Sequence, residues 1–221
     1  MKKLLLLLVL LPALCAGCHH GLGPGIKGSG KRVTQKRDVG PFTSIKTEGA
    51  FDVEVVCQKT LGMEIDADDN ILPLISTEVS GNVLRLKPTS NYSVNDAPKI
   101  KITVPNIEAF SADGAGKMQI SGVNNDKLMI ALNGAPVLTA SGTTKMVSID
   151  ANGAAKIDTH SLRADHAMVD TKGASTVDLG VSTQLDVTVS GPSNVTYSGN
   201  PNVNKTIHGP GKVEKRNDQG A

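Results

Sequence analysis

The segment that decides the fold is "NGAPVLTASG", residues 133–142. Its phrasing recurs as "DGAGKMQISG" at 113–122, "NGAAKIDTHS" at 152–161, "KGASTVDLG" at 172–180 and "SGPSNVTYSG" at 190–199. The leading glycines are Gly114, Gly134, Gly153, Gly173, Gly191 and Gly209, an almost even series along the chain. Such a phrase is either a ligand loop in several copies or the unit of the fold, and the columns around each glycine separate the two. Four places after it stand Met118, Leu138, Ile157, Val177, Val195 and Val213, all apolar. Six after it stand Ile120, Ala140, Thr159, Leu179, Tyr197 and Lys215; between them lie Gln119, Thr139, Asp158, Asp178, Thr196 and Glu214. This period of two is a short strand with one face inward.

A second strand precedes each glycine. Its inward positions are Phe110, Ile130, Ile149, Val169, Val187 and Lys205, then Ala112, Leu132, Ala151, Thr171, Val189 and Ile207. Each glycine therefore marks a bend between two strands, where a backbone without Cβ tolerates positive φ or close approach. A period near 19 with two or three strands per period predicts a parallel β-solenoid, all-β, with equivalent residues stacked about 4.8 Å apart. Six such courses make a rod of roughly 25–30 Å. An antiparallel sandwich does not place the same residue type in the same column at every repeat.

Upstream, "FTSIKTE", "FDVEVVC", "GMEIDAD" and "KIKITVP" alternate as strands, and "EVSGNVLRLKP" reads as a hairpin bent at Ser80-Gly81-Asn82. Only "DDNILPLIS" suggests a helical turn, limited by Pro73. The expected organisation is a signal over 1–17, a flexible tether over 18–40, a β-rich part over 41–107, Gly-led repeats over 108–215 and a polar tail over 216–221.

The signal is read from "MKKLLLLLVLLPALCAGC". A basic start, an apolar run over Leu4–Leu14 and a small-residue exit make a secretory signal too short to span a bilayer. The exit resembles a bacterial lipobox, with Ala16 and Gly17 before Cys18, although Cys15 stands where Leu is usual. Cys18 is thus the expected lipidation site (palmitate among its acyl groups), and several chains would hold the protein on a membrane. Cys57 then has no intramolecular partner and reads as a buried hydrophobe on a strand. His19 follows Cys18, so the Asp that often retains such proteins at the inner membrane is missing. The expected location is the bacterial cell envelope, at the outer membrane if the cell is Gram-negative.

The order "FTSIKTEGAFDVEVV", "LPLISTEVSGNVLRLKP", "KIKITVPNIEAFSADGAGKMQISG" and the Gly-small repeats resembles the autotransporter-adhesin "head GIN domain" family of bacterial envelope proteins, over roughly residues 41–200. The resemblance implies a right-handed parallel β-helix-like fold, similar to pectate-lyase-type solenoids, with a role in adhesion or surface interaction and no catalytic residues to carry over.

The outward columns are where chemistry could sit, because the inward ones are occupied with packing. Asp158 and Asp178 share one column, and Asp150 and Asp170 another. Stacking in register puts each pair about 5 Å apart. Either pair could hold a divalent cation or sugar hydroxyls; the plainer reading is a solvated face neutralised by Lys156, Lys172 or Arg163. His160, Arg163 and His166 in "THSLRADH" form the one local cluster that invites a catalytic reading, weighed against exposed turn residues. With a net charge of +2 and only five aromatics, nothing suggests nucleic-acid binding, and no pattern calls for a cofactor. The expected function is a non-enzymatic, lipid-anchored envelope protein that presents a rigid β-solenoid for adhesion, binding or envelope structure, with an envelope or extracellular ligand of glycan or protein type. The alternative is a polysaccharide lyase or hydrolase on a β-helix scaffold. Apolar columns that decay to Lys205 and Lys215 read as a blunted open end.

Overall fold

A computed structural model describes residues 25–216. The expected signal and Cys18 fall outside these residues. The described chain is all-β, with one short 3₁₀ turn at Leu72–Leu74, where Pro73 is expected to limit a helix. The N-terminal half carries β1 (Ile26–Lys27), β2 (Arg32–Lys36), β3 (Ser44–Ala50), β4 (Asp52–Val56) and β5 (Gly62–Asp68). After the turn come β6 (Ile75–Ser80), β7 (Val83–Pro88), β8 (Tyr92–Ser93) and β9 (Lys99–Thr103). The repeats form β10 (Ala109–Gly153), β11 (Lys156–Gly173), β12 (Thr176–Ser190), β13 (Asn194–Ser198), β14 (Asn202–His208) and β15 (Lys212–Lys215).

β10 is 45 residues long. A straight strand of that length would reach about 150 Å. It folds back on itself instead, because Gly114 and Gly134 sit at φ +138° and +97°. A Cβ on Gly134 would stand 2.3 Å from the Gly114 carbonyl oxygen, so the two bends are stacked backbone on backbone. No side chain fits there at any rotamer. The other expected bends, Gly153, Gly173, Gly191 and Gly209, also have positive φ.

The repeats pair in parallel, in the register the columns imply. Leu138 faces Ile157, which faces Val177, then Val195, then Val213. On the preceding strand Ile149 faces Val169, then Val187, then Lys205. Parallel strands buried on their inner face need this uninterrupted apolar column. Its members from Phe110 to Val187 are 3% exposed or less, whereas Lys205 on β14 is exposed.

One repeat escapes the periodicity. Gly49 is the register partner of Gly114, Ile45 of Phe110 and Val53 of Met118. The strands β3 and β4 are thus a repeat unit, separated from the next one by everything from β5 to β9. The intervening chain covers its other side: β7 and β9 pair with β3 and β4 in parallel, and β6 and β5 then pair antiparallel with β7 and β9. Ser80 faces Val83, so Gly81-Asn82 makes the expected hairpin. The result is one open 13-stranded sheet, not closed into a barrel.

The tether expected over 18–40 is corrected in its described part. Strand β2 pairs antiparallel with β5, and β1 pairs with β8. Arg32 Nε donates to Asp66 Oδ1 at 2.8 Å, and Arg37 donates to the carbonyls of Leu72 at 3.0 Å and Ile75 at 2.5 Å. Composition suggests disorder there because β2 is an edge strand with one wet face. Arg32 ties β2 to Asp66, and Arg37, just past β2, donates to the carbonyls at the exit of the 3₁₀ turn.

Candidate functional site

The outward columns hold the candidate chemistry, and register decides which residues meet. Asp158 faces Asp178, and Asp150 faces Asp170. Both pairs are adjacent, and each has a nearby cation. Asp170 has Lys172 at 3.7 Å, a partner the sequence offers. Asp178 is ion-paired with Arg216, which the sequence assigns to a polar tail. Only packing of the last described residue across two repeats reveals that pair. Lys156 and Arg163 make no ion pair with these aspartates among the described residues. Asp150, Asp170 and Asp186 line a shallow hollow of about 330 Å³ with Met168, which is 51% exposed. Asp186 is occupied by the amides of Gln184 and Asn204, at 3.0 and 2.9 Å. Among the described residues no three His, Cys, Asp or Glu side chains gather as metal ligands.

A second hollow, about 390 Å³, lies over β5, β9, β4 and β10. Its charges alternate across the strands: Asp66 and Asp52 flank Lys99, and Glu64 and Glu54 flank Lys101. Opposite charges directly across a ladder stabilise a sheet. A general acid needs its carboxyl raised. Every carboxyl with a resolved shift goes the other way. The Arg32 guanidinium holds Asp66 low, the Ser29 hydroxyl does so for Asp69, and the Asn133 amide with Lys46 does so for Asp113. Asp113, Asn133 and Asn152 form a short polar ladder, with bonds of 2.5 and 3.1 Å.

The third hollow, about 530 Å³, contains part of "THSLRADH". The segment lies within β11, and its register against β12 breaks between Thr159 and Arg163, where the sequence suggests a turn. His160 Nδ1 lies 3.1 Å from Ser198 Oγ, two repeats away. Arg163 lines the same hollow, with Thr143, Asp165, Ser182 and Asn200. His166 lies further along β11, between Met146 and Gln184 in the register. Ser198 and Asn200 carry no signal in their own repeat. Cys57 is buried, and burial pushes its thiol up, so it is no nucleophile.

No helix among the described residues is long and apolar enough to cross a membrane. A comparison with curated proteins returns no match. Two solved structures share the fold. A "putative adhesin" from Bacteroides fragilis is 22% identical, with a TM-score of 0.69 over 87% of this chain and all of its own. A "putative lipid binding protein" from Parabacteroides distasonis is 18% identical, with a TM-score of 0.51 over 86% of this chain and 99% of its own. The stacked glycines from Gly114 to Gly191 and the strands around Gly49 fall inside one family match, which spans residues 41–201. By that match the chain belongs to the family described as "Putative auto-transporter adhesin, head GIN domain".

Proposed function

We propose that the protein is a lipid-anchored component of the bacterial cell envelope that presents a rigid β-solenoid for adhesion or binding, without catalysis. In this reading the parallel ladders, each offset by one period, are successive coils of a right-handed β-helix-like rod. Each rung takes about 19 residues, one supersecondary unit stacked on the next. Cys18 carries the lipid, and the outer membrane is the destination in a Gram-negative cell. The adhesin description of the family supports a surface-binding role. The observation that carries the non-enzymatic reading is the charge arrangement: carboxylates alternate with lysines across the strands of the second hollow, and Asp178 is tied to Arg216. At those two places a lyase or hydrolase would need the opposite, two uncompensated carboxyl groups or a carboxylate beside a free base.

The test is a screen of residues 25–216 on immobilised glycans and matrix proteins, with chromatography of any bound oligosaccharide afterwards. Binding without new products is expected; shortened products would overturn the reading. Anchoring is tested separately. Incorporation of a clickable palmitate analogue into the full chain should vanish in Cys18→Ala, and a chain that stays labelled would refute Cys18 as the anchor.

A further inference from the structure

The hollow around His160 is built by three local departures from the repeat. First, β11 gains residues against β12: Thr159 faces Leu179, but Arg163 faces Gly180, so His160, Ser161 and Leu162 have no partner on that side. Such a bulge re-aims side chains. Leu162 turns into the core, and the imidazole of His160 reaches Ser198. Second, Gly180 separates Arg163 from Ser198 in the register, so the middle of the row has no side chain. A Cβ there would stand 2.8 Å from the His160 carbonyl oxygen, so the bulge and the glycine require each other. Third, the chain kinks at Gly199, φ +99°, which sets Asn200 on the rim. Thr143, Arg163, Gly180 and Ser198 thus form one row across four strands.

The polar inventory of this row selects a ligand class. Arg163 is exposed, and among the described residues no carboxylate pairs with it. A guanidinium fork matches a carboxylate in two parallel bonds. Asp165 lines the same hollow and accepts from Ser182 Oγ at 3.2 Å. Lys145 is near enough to feel Asp165, but its ammonium is bound to Asp126 at 2.8 Å. One available cation beside one carboxylate disfavours a dianion such as phosphate. It suits a monoanion that also offers hydroxyl donors to Asp165 and accepts from Thr143 and Asn200. That combination is an acidic sugar residue.

We propose that the row Thr143–Arg163–Gly180–Ser198 binds the carboxylate of a uronic acid residue in a glycan, with Arg163 as its anchoring cation and His160, held by Ser198, beside it. This rests on the binding role proposed above and names the ligand class. The experiment titrates residues 25–216 with a tetrasaccharide alternating glucuronic acid and N-acetylglucosamine, by calorimetry. The carboxyl-reduced tetrasaccharide and inorganic phosphate are run beside it. The acidic sugar should bind, the reduced sugar should lose roughly tenfold or more, and so should Arg163→Ala toward the acidic sugar. Arg163→Lys should recover part, and His166→Ala, outside the hollow, should show none of the loss. Arg163 is exposed, so Arg163→Ala should keep the wild-type melting temperature. Unchanged binding by Arg163→Ala, equal binding of the reduced sugar, displacement by equimolar phosphate, or no binding at millimolar sugar would each overturn the site. The broader role survives those results if other glycans or proteins are retained in the screen, and fails with them only if nothing is retained.

Discussion

Gly114 lies over Gly49 in register, and a Cβ on Gly114 would stand 2.4 Å from the Gly49 carbonyl oxygen. The same contact repeats from Gly134 to Gly114 and from Gly153 to Gly134, at 2.3 and 2.4 Å. Stacked glycines let the coil close with one backbone lying on the next. The substitution Gly134→Ala therefore meets two costs: a residue at φ +97° and a carbonyl inside van der Waals contact. Together these should cost about 3 kcal/mol or more. Gly30→Ala, at φ +76° with nothing within 4 Å, should cost only about 1 kcal/mol. Denaturant midpoints of the two variants decide the matter. Equal losses would mean that strain alone acts and that close approach is unimportant.

The strand β2 covers the edge of β5, so a chain beginning at Pro41 should be less stable than one beginning at Gly25. It should also scatter more light as concentration rises, because an uncovered edge templates pairing. Arg37→Ala isolates part of this effect. It removes the donor to Leu72 and Ile75 and should cost about 1–3 kcal/mol. If the shorter chain melts with the longer one, the segment before Pro41 is a tether after all.

Most of this architecture can be read from columns, because the inward residue at one repeat constrains the same position at the next. Met118, Leu138, Ile157, Val177, Val195 and Val213 are all buried. What escapes has no such repetition. Gly49 has the right neighbours, with Ile45 four before and Val53 four after, but the capping strands β5 to β9 stand between it and the next repeat and hide its place. Arg216 pairs with Asp178 across a register that its own sequence context does not announce. The hollow at His160 needs a bulge whose only linear trace is a slightly wider interval from Gly153 to Gly173 than from Gly173 to Gly191.

Acid should weaken the fold through Asp66 and Asp113. Arg32 holds the first carboxyl low, and Asn133 and then Lys46 hold the second. A depressed carboxyl means that the unfolded chain binds protons more readily than the folded one. The stabilisation is then complete above the unfolded value near 4 and is lost as pH falls through the lower folded value. Asp66→Asn should accordingly melt below wild type near neutral pH, with the gap closing in strong acid. A gap that stays constant with pH would show that the Arg32 contact is not electrostatic.

Cys57 should be silent to Ellman's reagent in the native protein and react stoichiometrically in denaturant. It is 2% exposed on the inner face next to β4, and burial pushes its thiol up. Rapid native labelling would place an opening motion between β4 and the Gly122 bend, whose nearest neighbour is the Cys57 carbonyl.

The end of the stack offers the sharpest test of edge control. Strand β14 pairs with β12 on one side, and among the described residues nothing pairs with its other side. Lys205 occupies the column that is apolar and buried from Ile45 through Val187. Its neighbours Val203 and Ile207 continue the apolar face, and Ile207 is 38% exposed. A charge at the centre of that face denies a second chain a dry contact, because pairing would strip water from the ammonium. Lys205→Val should therefore raise the mass seen by light scattering, and raise it further with concentration. Thr206→Val, on the opposite face of the same strand, should not. Association in both variants would point to general edge stickiness, and association in neither would show that Lys205 does not guard the end.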